Sequence, residues 1–198
     1  MKQHWNHIFA TKSPKEVSWT QPKPEPSLTL IQGLQLPLDA RILEMGGGSS
    51  LLPDFLIKMG FQDITVVDIS AEALNISKER VDSTSVQWVE SDMRDFTPEG
   101  SFDLWHDRAA FHFLTEPDDI ANYVAKVEES VTGYLIIGAF SENGPLKCSG
   151  LPVSRYSEES LQDLFKNSFE TIETFTLDHT TPFDTQQNFV FGVFRRRE

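Results

Sequence analysis

Three adjacent glycines and a downstream aspartate are the residues of this chain whose types and spacing best suit chemistry. Gly46, Gly47 and Gly48 follow a short apolar run, and Asp68 lies 20 residues beyond Gly48 at the end of a second run. Glycines let backbone amides approach a ligand closely, and a carboxylate at this spacing suits the two hydroxyls of a ribose. The pattern predicts a site for a ligand that carries a nucleoside.

The phosphate-binding versions of such a loop fit this sequence poorly. The dinucleotide fingerprint requires a glycine at position 51, where Leu51 stands, and no lysine follows the glycines as a phosphate loop requires. A nicotinamide oxidoreductase is therefore disfavoured. Ser49 and Ser50 instead offer hydroxyls and an N-cap at the start of the next predicted helix, where a ligand carboxylate would be stabilised.

A second carboxylate, Asp92, follows the third apolar run and is followed by Met93. Asp92 could accept a hydrogen bond from an exocyclic amino group, and Met93 could pack on a purine face. A site built from carboxylates and amides, with no obligatory Lys or Arg, suits a cationic ligand without phosphate, such as a sulfonium.

A group of titratable residues follows the fourth apolar run, where open α/β sheets place their reactive crevice. We expect His106, Asp107 or Arg108 to touch a substrate, with His106 as the candidate base for an N–H, O–H or S–H nucleophile. The alternative is a structural network in which Asp107 and Arg108 hold the loop. His112 is a further substrate candidate, or else a packed core histidine.

The loop over residues 140–156 lies on the same side of the predicted sheet. Its length suggests a binding loop in which Arg155 and Tyr156 contact a polar or anionic substrate group, unless both lie on the surface. Cys148 is the only cysteine, and the five histidines lack the spacing of a metal site. We therefore predict no metal.

Apolar runs and helical patterns alternate along the chain, which predicts a parallel sheet with right-handed crossovers. Two long apolar runs near the C-terminus predict an antiparallel hairpin at the sheet edge. The predicted strands are 41–45, 64–68, 86–89, 102–106, 133–140, 170–177 and 188–195. The predicted helices are 28–36 with Ser27 as N-cap, 51–59, 71–80 with Ser70 as N-cap, 117–130 and 158–167.

Composition limits the possible partners. The 198 residues carry 17 basic and 30 acidic side chains, a formal charge of −13 that disfavours nucleic acid as a partner. No run reaches the length of a membrane span or a signal peptide, so we expect a cytoplasmic protein without a membrane partner. Oligomeric state is left open.

Prolines divide residues 1–27 from the rest, and the segment carries apolar anchors that include Trp5, Phe9 and Trp19. We expect residues 1–27 to form a cap that covers the pocket and excludes water, with Trp19 near the substrate. Residues 28–198 then form one α/β domain.

Glu44-x-Gly46-Gly47-Gly48, Asp68, Asp92-Met93 and the closing hairpin, taken together, resemble the class I S-adenosylmethionine-dependent methyltransferases. The resemblance implies a Rossmann-like, doubly wound α/β fold with a mostly parallel seven-stranded sheet, helices on both faces and an antiparallel C-terminal hairpin strand. It also implies that Glu44 orients the glycine loop, that the glycines line the methionine part of the cofactor, that Asp68 and neighbouring Ile69 hold the ribose, and that Asp92 and Met93 hold the adenine.

The resemblance implies an enzyme that transfers a methyl group from S-adenosylmethionine to an acceptor by in-line displacement. We expect a small-molecule acceptor, with a protein lysine as the alternative. A cofactor-binding module without turnover is a second alternative, and the titratable residues around His106 argue against it.

Overall fold

The computed structural model describes residues 1–81 and 83–198 and contains a seven-stranded sheet with helices on both faces. The strands are β1 (Arg41–Met45), β2 (Asp63–Asp68), β3 (Val86–Glu90), β4 (Phe102–Arg108), β5 (Val131–Phe140), β6 (Phe169–Thr180) and β7 (Gln186–Arg196). The helices are α1 (Lys2–Thr11), α2 (Ser27–Gly33), α3 (Leu52–Met59), α4 (Ala71–Arg80), α5 (Pro117–Ser130) and α6 (Glu158–Phe165). Short 3-10 turns at Pro14–Glu16 and Phe111–Phe113 and a small ladder between Lys147–Cys148 and Leu151–Pro152 complete the chain.

The strand order is β3-β2-β1-β4-β5-β7-β6. The first five strands run parallel, and β7 is antiparallel to both β5 and β6. This arrangement confirms the predicted fold class and the C-terminal hairpin. The order reverses between β1 and β4, and ligands of such sheets bind beyond the carboxyl ends of the strands at that reversal.

Side-chain alternation in the central strands divides the core into two layers. Leu43 and Trp105 point to the face covered by α5 and α6, whereas Ile42 and Leu104 point to the face covered by α2, α3 and α4. All four side chains are buried. Because both faces of the central parallel strands are covered, the middle residues of these strands are mostly apolar, as in Ile42–Leu43 of β1 and residues 64–67 of β2.

Local sequence signals account for several element ends. Gly60 ends α3 in the left-handed region at φ 98°, which favours glycine. Ser70 caps α4, because its Oγ accepts a hydrogen bond from the amide of Ala73 at 3.2 Å. Between β3 and β4 the chain forms turns and no helix, as the short acidic segment there suggests.

Two predictions for the N-terminal third differ from the structure. Helix α2 begins at Ser27 with Pro26 as N-cap, so Ser27 is not the predicted cap. Its hydroxyl is instead 2.7 Å from Nε2 of His106, a contact across 79 positions of sequence. The helix also ends at Gly33, earlier than predicted, and α1 was not anticipated from the apolar anchors.

The first 27 residues pack against the sheet domain. Ser70 Oγ donates a hydrogen bond to Asn6 Oδ1 at 2.7 Å, and Lys2 Nζ lies 2.6 Å from a carboxylate oxygen of Glu90. Helix α1 thereby rests on α4 and the end of β3. The division into residues 1–27 and 28–198 stays a prediction.

Candidate active site

The glycines of the loop between β1 and α3 pack closely against neighbouring residues. Gly46 has a φ of 70°, and its amide donates to the carbonyl of Val67 at 2.7 Å. A Cβ at Gly46 would lie 2.4 Å from the Cβ of Ala110, and a Cβ at Gly48 would lie 2.7 Å from Asp68 Oδ2. No other residue type fits these two positions without displacing a neighbour, which explains why glycines occupy the loop.

Asp68 joins the end of β2 to the glycine loop. Its Oδ2 accepts from the amide of Gly48 at 2.9 Å, and its Oδ1 accepts from the amide of Ser70 at 2.8 Å. Burial raises the pKa of Asp68 to about 6, although both amides favour the ionised form. Each carboxylate oxygen keeps a further lone pair for a ligand hydroxyl.

Glu44, near the end of β1, lies beneath the same loop. Glu44 is 3% exposed, and its Oε2 has no hydrogen-bond partner among the described residues. Burial is the main cause that raises the pKa of Glu44 to about 8, with the hydroxyl of Ser50 acting against this shift and the nearby charge of Asp68 adding to it. Because a Cβ on Gly47 would lie 2.5 Å from the Glu44 carboxyl carbon, this side chain supports the loop directly.

A single cavity of about 480 Å³ connects these residues with the N-terminal segment. The side that contains the residues predicted to bind a cofactor is lined by Glu44, Gly46, Ser49, Ser50, Asp68, Ile69, Asp92 and Met93. The side that contains the residues predicted to touch the methyl acceptor, which we call the acceptor side, is lined by Trp5, Phe9, Val17, Trp19, Ser27, His106, Arg108, Phe113 and Cys148. The structure therefore brings together most of the residues predicted to bind a cofactor.

Asp92 lies on the cavity wall but already has a charged neighbour. Arg94 Nη2 is 2.5 Å from Asp92 Oδ2, and the Arg94 amide donates to Oδ1 at 3.0 Å. Burial raises the pKa of Asp92, but the hydrogen bonds and charge of Arg94 outweigh it and the net shift is downward. Asp92 is therefore ionised and keeps free acceptor capacity, and its contact with adenine stays a prediction.

The three polar residues at the end of β4 do not all face the cavity, because successive side chains of a strand point to opposite faces. His106 and Arg108 point into the cavity, whereas Asp107 is buried on the other face and does not line it. The expectation that Asp107 touches a substrate is therefore not supported by its placement. A period-two reading of β4 would have separated it from its neighbours.

Asp107 organises the turn that follows β4. Its Oδ1 accepts from the amides of Ala110 and Phe111 at 3.1 and 2.9 Å, and its Oδ2 accepts from the Tyr123 hydroxyl at 2.8 Å. Trp105 Nε1 donates to the same hydroxyl at 2.9 Å. Burial raises the pKa of Asp107 to about 6 despite these bonds. The network fixes the segment that carries Ala110, which packs against the glycine loop.

His106 is held in its neutral form at the centre of the cavity floor. It is 2% exposed, and burial together with the charge of Arg108 lowers its pKa to about 3. Its Nε2 is bonded to the Ser27 hydroxyl, while its Nδ1 is buried and has no partner among the described residues. Such an imidazole is uncharged at neutral pH, so one ring nitrogen carries the single proton and donates it while the other nitrogen accepts.

The acceptor side of the cavity is covered by aromatic side chains of the N-terminal segment. Trp5 lies at ring-centroid distances of 5.1 Å from Phe113 and 5.7 Å from Trp19, and Phe9 lies 6.0 Å from Trp19. These edge-to-face contacts join α1 to the turn after β4. Trp19 thus reaches the position predicted for it, although its contact with a substrate stays a prediction.

Three further substrate candidates lie away from the cavity. His112 is fully buried, with its Nδ1 3.3 Å from the Phe140 amide. Arg155 Nη1 donates to the Gly144 carbonyl at 3.2 Å, and Tyr156 stacks on Phe111 at 5.3 Å. These residues hold the loop after β5 together, so their substrate roles are not supported.

Ser27 and Cys148, which sequence reasoning did not assign to the site, line the cavity instead.

Two negative findings concern the described residues. Within residues 1–81 and 83–198, no group of three or more His, Cys, Asp or Glu side chains is arranged to hold a metal ion. None of the described helices combines the length and apolar character needed to cross a bilayer.

This chain is similar to known proteins both over its central region and over most of its length. A family model described as a methyltransferase domain matches residues 42–132, the region that contains the glycine loop, Asp68 and His106. Human EEF1A lysine methyltransferase 2 is 20% identical over 185 residues, which cover 87% of this chain and 75% of that protein.

Two solved structures share the fold over nearly the whole chain. The N-methyltransferase NodS from Bradyrhizobium japonicum, solved with S-adenosyl-l-homocysteine, has a TM-score of 0.73 at 16% identity and covers 100% of this chain and 98% of its own. A protein solved in a study of the conversion of a disulfide bond into a thioacetal group during echinomycin biosynthesis has a TM-score of 0.79 at 19% identity, with coverages of 99% and 93%.

Proposed function

We propose that this chain is a class I S-adenosylmethionine-dependent methyltransferase that transfers the cofactor's methyl group to a small molecule. The observation that carries the proposal is the continuous cavity. One end presents the glycine loop and buried carboxylates, and the other end is an aromatic chamber that contains His106 and Arg108.

The residues at the cofactor end fit S-adenosylmethionine. Glu44 offers an unpaired buried oxygen to the amino acid ammonium, and Asp68 offers free acceptor sites to the ribose hydroxyls. The amide of Leu52, the first residue of α3, donates a hydrogen bond to Ser50 Oγ at 3.0 Å, and both residues line the cavity. The positive N-terminal end of α3 therefore lies beside the cavity, where it favours the cofactor carboxylate. When bound, the cofactor supplies an electrophilic methyl group on a sulfonium.

The residues of the acceptor chamber orient the nucleophile and exclude water. In-line displacement breaks the bond from sulfur to methyl and forms a bond from the acceptor atom to methyl. Holding the two partners in contact can remove on the order of 7–11 kcal/mol of the barrier, so little further catalysis is needed. In the tautomer whose Nε2–H donates to the Ser27 hydroxyl, His106 Nδ1 is available to accept a hydrogen bond from a protonated acceptor, whereas an anionic acceptor has no proton to lose.

A lysine side chain is the second candidate acceptor, and the name of the human relative favours it. Two features of the cavity favour a small molecule instead. The N-terminal segment covers the acceptor chamber, where Trp5 is 9% exposed, and the chamber contains the cation of Arg108, which would repel a lysine ammonium. A module without turnover would have no use for such a chamber.

Methyl transfer from labelled S-adenosylmethionine tests the proposal. The protein is incubated with a metabolite fraction and, separately, with a protein fraction of a cell extract, and transfer into each is counted. We expect label in the metabolite fraction, loss of transfer in Asp68→Ala, and unchanged transfer in Glu129→Gln, whose exposed carboxylate is on α5 away from the cavity. Label only in protein would favour the lysine alternative, and no binding of S-adenosylhomocysteine at millimolar concentration would refute the proposed function.

A further inference from the structure

Arg108 is the residue of the acceptor chamber whose charge the protein leaves uncompensated. Its Nη1 donates to the Trp19 carbonyl at 3.2 Å, and its guanidinium lies 5.0 Å from the centroid of the Phe189 ring. Its Nε is buried and has no hydrogen-bond partner among the described residues. Within residues 1–81 and 83–198, no carboxylate lies within ion-pair distance of the Arg108 guanidinium.

Arg108 is half-buried and its Nε is fully buried, and a charge that has left water without gaining a counter-charge is costly. Burial lowers the pKa of Arg108 to about 10, so the side chain still carries its charge at neutral pH. Burial lowers the pKa of His106 and His112, and the charge of Arg108 lowers both further in the same direction. A guanidinium edge with a free Nε suits the two oxygens of a carboxylate, and a bound carboxylate would supply the missing counter-charge.

The position of Arg108 places this charge on the acceptor side of the cavity. The residues assigned to the cofactor belong to β1, β2 and β3 and the loops that follow them, whereas Arg108 pairs in register with Gly138 of β5 and contacts Phe189 of β7. Arg108, Thr20 and Gln21 also border a second cavity of about 300 Å³ beyond the chamber. The guanidinium therefore faces a space that the cofactor residues do not line.

We propose that the methyl acceptor is a small aromatic or otherwise flat carboxylate. Its apolar body would pack among Trp5, Trp19 and Phe113, and its carboxylate would pair with Arg108. This inference rests on the proposed function and specifies the acceptor class. The shared chemistry, a carboxylate on Arg108, could also come from the methionine part of the cofactor, and the experiment separates the two sources.

The test compares acids with their uncharged amides on the protein loaded with S-adenosylhomocysteine. Benzoate and indole-3-acetate are titrated against benzamide and indole-3-acetamide, with calorimetry and the fluorescence of the cavity tryptophans as readouts. We expect each acid to bind at least tenfold more tightly than its amide. We expect Arg108→Gln to abolish this preference and Arg108→Lys to retain part of it, while the Kd for S-adenosylhomocysteine changes less than threefold in both.

Three results would overturn the inference. They are the absence of binding by any acid, equal binding of acids and amides, and weakened S-adenosylhomocysteine binding in Arg108→Gln, which would assign the charge to the cofactor's carboxylate. The comparison of acid with amide on the unmodified protein stands even if a variant does not fold. Failure of S-adenosylhomocysteine to bind the unmodified protein refutes the proposed function itself, and is thereby distinguished from failure of the acceptor assignment.

Discussion

The buried carboxylate of Glu44 predicts that cofactor binding depends on pH. With its pKa raised to about 8 by burial, Glu44 is mostly protonated in the free protein at neutral pH. An ammonium placed against its unpartnered oxygen would stabilise the ionised form, so binding must release the proton. Affinity is then reduced by the protonated fraction and increases as pH rises towards the pKa of the free protein.

The size of the effect follows from that pKa. The apparent association constant is proportional to 1/(1 + 10^(pKa − pH)), in which the pKa is that of Glu44 in the free protein. The association constant therefore increases about 15-fold between pH 6.5 and 8. The range starts at 6.5 because Asp68, with a pKa of about 6, titrates below it. The α-ammonium of S-adenosylhomocysteine stays protonated through most of this range, so the ligand contributes little to the slope.

Calorimetry with S-adenosylhomocysteine at pH 6.5, 7.2 and 8 measures both the affinity and the protons released. Titrations in two buffers of different ionisation enthalpy give the proton count at each pH. We expect close to one proton released at pH 6.5, and a much flatter pH dependence in Glu44→Gln, which keeps the shape but cannot ionise. Glu129→Gln on α5 should behave as the unmodified protein does. A flat pH profile in the unmodified protein, or the same slope in Glu44→Gln, would show that Glu44 does not meet the cofactor's charge.

Three further predictions concern the loop, the network beneath it and the imidazole on the cavity floor. Gly48→Ala places a methyl group 2.7 Å from the carboxylate that closes the loop, so we expect calorimetry to show at least a tenfold loss of S-adenosylhomocysteine affinity, and unchanged affinity would contradict the close packing. Tyr123→Phe removes the hydroxyl that donates to Asp107, which should cost about 1–3 kcal/mol in urea unfolding, whereas Tyr134→Phe should cost little. Ser27→Ala leaves the imidazole without its hydroxyl partner, so methyl transfer should slow several-fold at unchanged S-adenosylhomocysteine affinity, and an unchanged rate would reduce the contact to packing.

Sequence alone anticipated the elements whose signals are local. Gly60 and Ser70 mark helix ends through backbone freedom and a side-chain cap, and both features depend only on residues within one turn. The order of the glycine loop, Asp68 and Asp92 along alternating elements was enough to predict that they lie around one cavity, because the carboxyl ends of parallel strands meet at one edge.

The parts that sequence did not anticipate depend on contacts between distant residues. Ser27 has the residue type and position of an N-cap, but a longer-range partner, His106, takes its hydroxyl. Arg155 and Tyr156 have side chains typical of a binding loop, yet they are used to fold that loop on itself. Asp107 differs, since alternation along β4 already indicates that it points away from His106 and Arg108.

Glu44 and Arg108 are two ionisable groups of the cavity that have no partner of opposite charge within the described part of the chain, and one ligand pair could supply a partner to each. Glu44 lies in register with His106 on the neighbouring strand, and Arg108 lies two residues further along, about 6–7 Å beyond it. Glu44 and Arg108 form no ion pair with each other, and the neutral imidazole of His106 stands between them in the strand register. A direct pair would satisfy both groups and leave neither of them free to bind a charged group of a ligand. Kept apart, the carboxylate is available to a cation at the cofactor end and the guanidinium to an anion at the acceptor end, and the imidazole between them lies where the two ligands would meet.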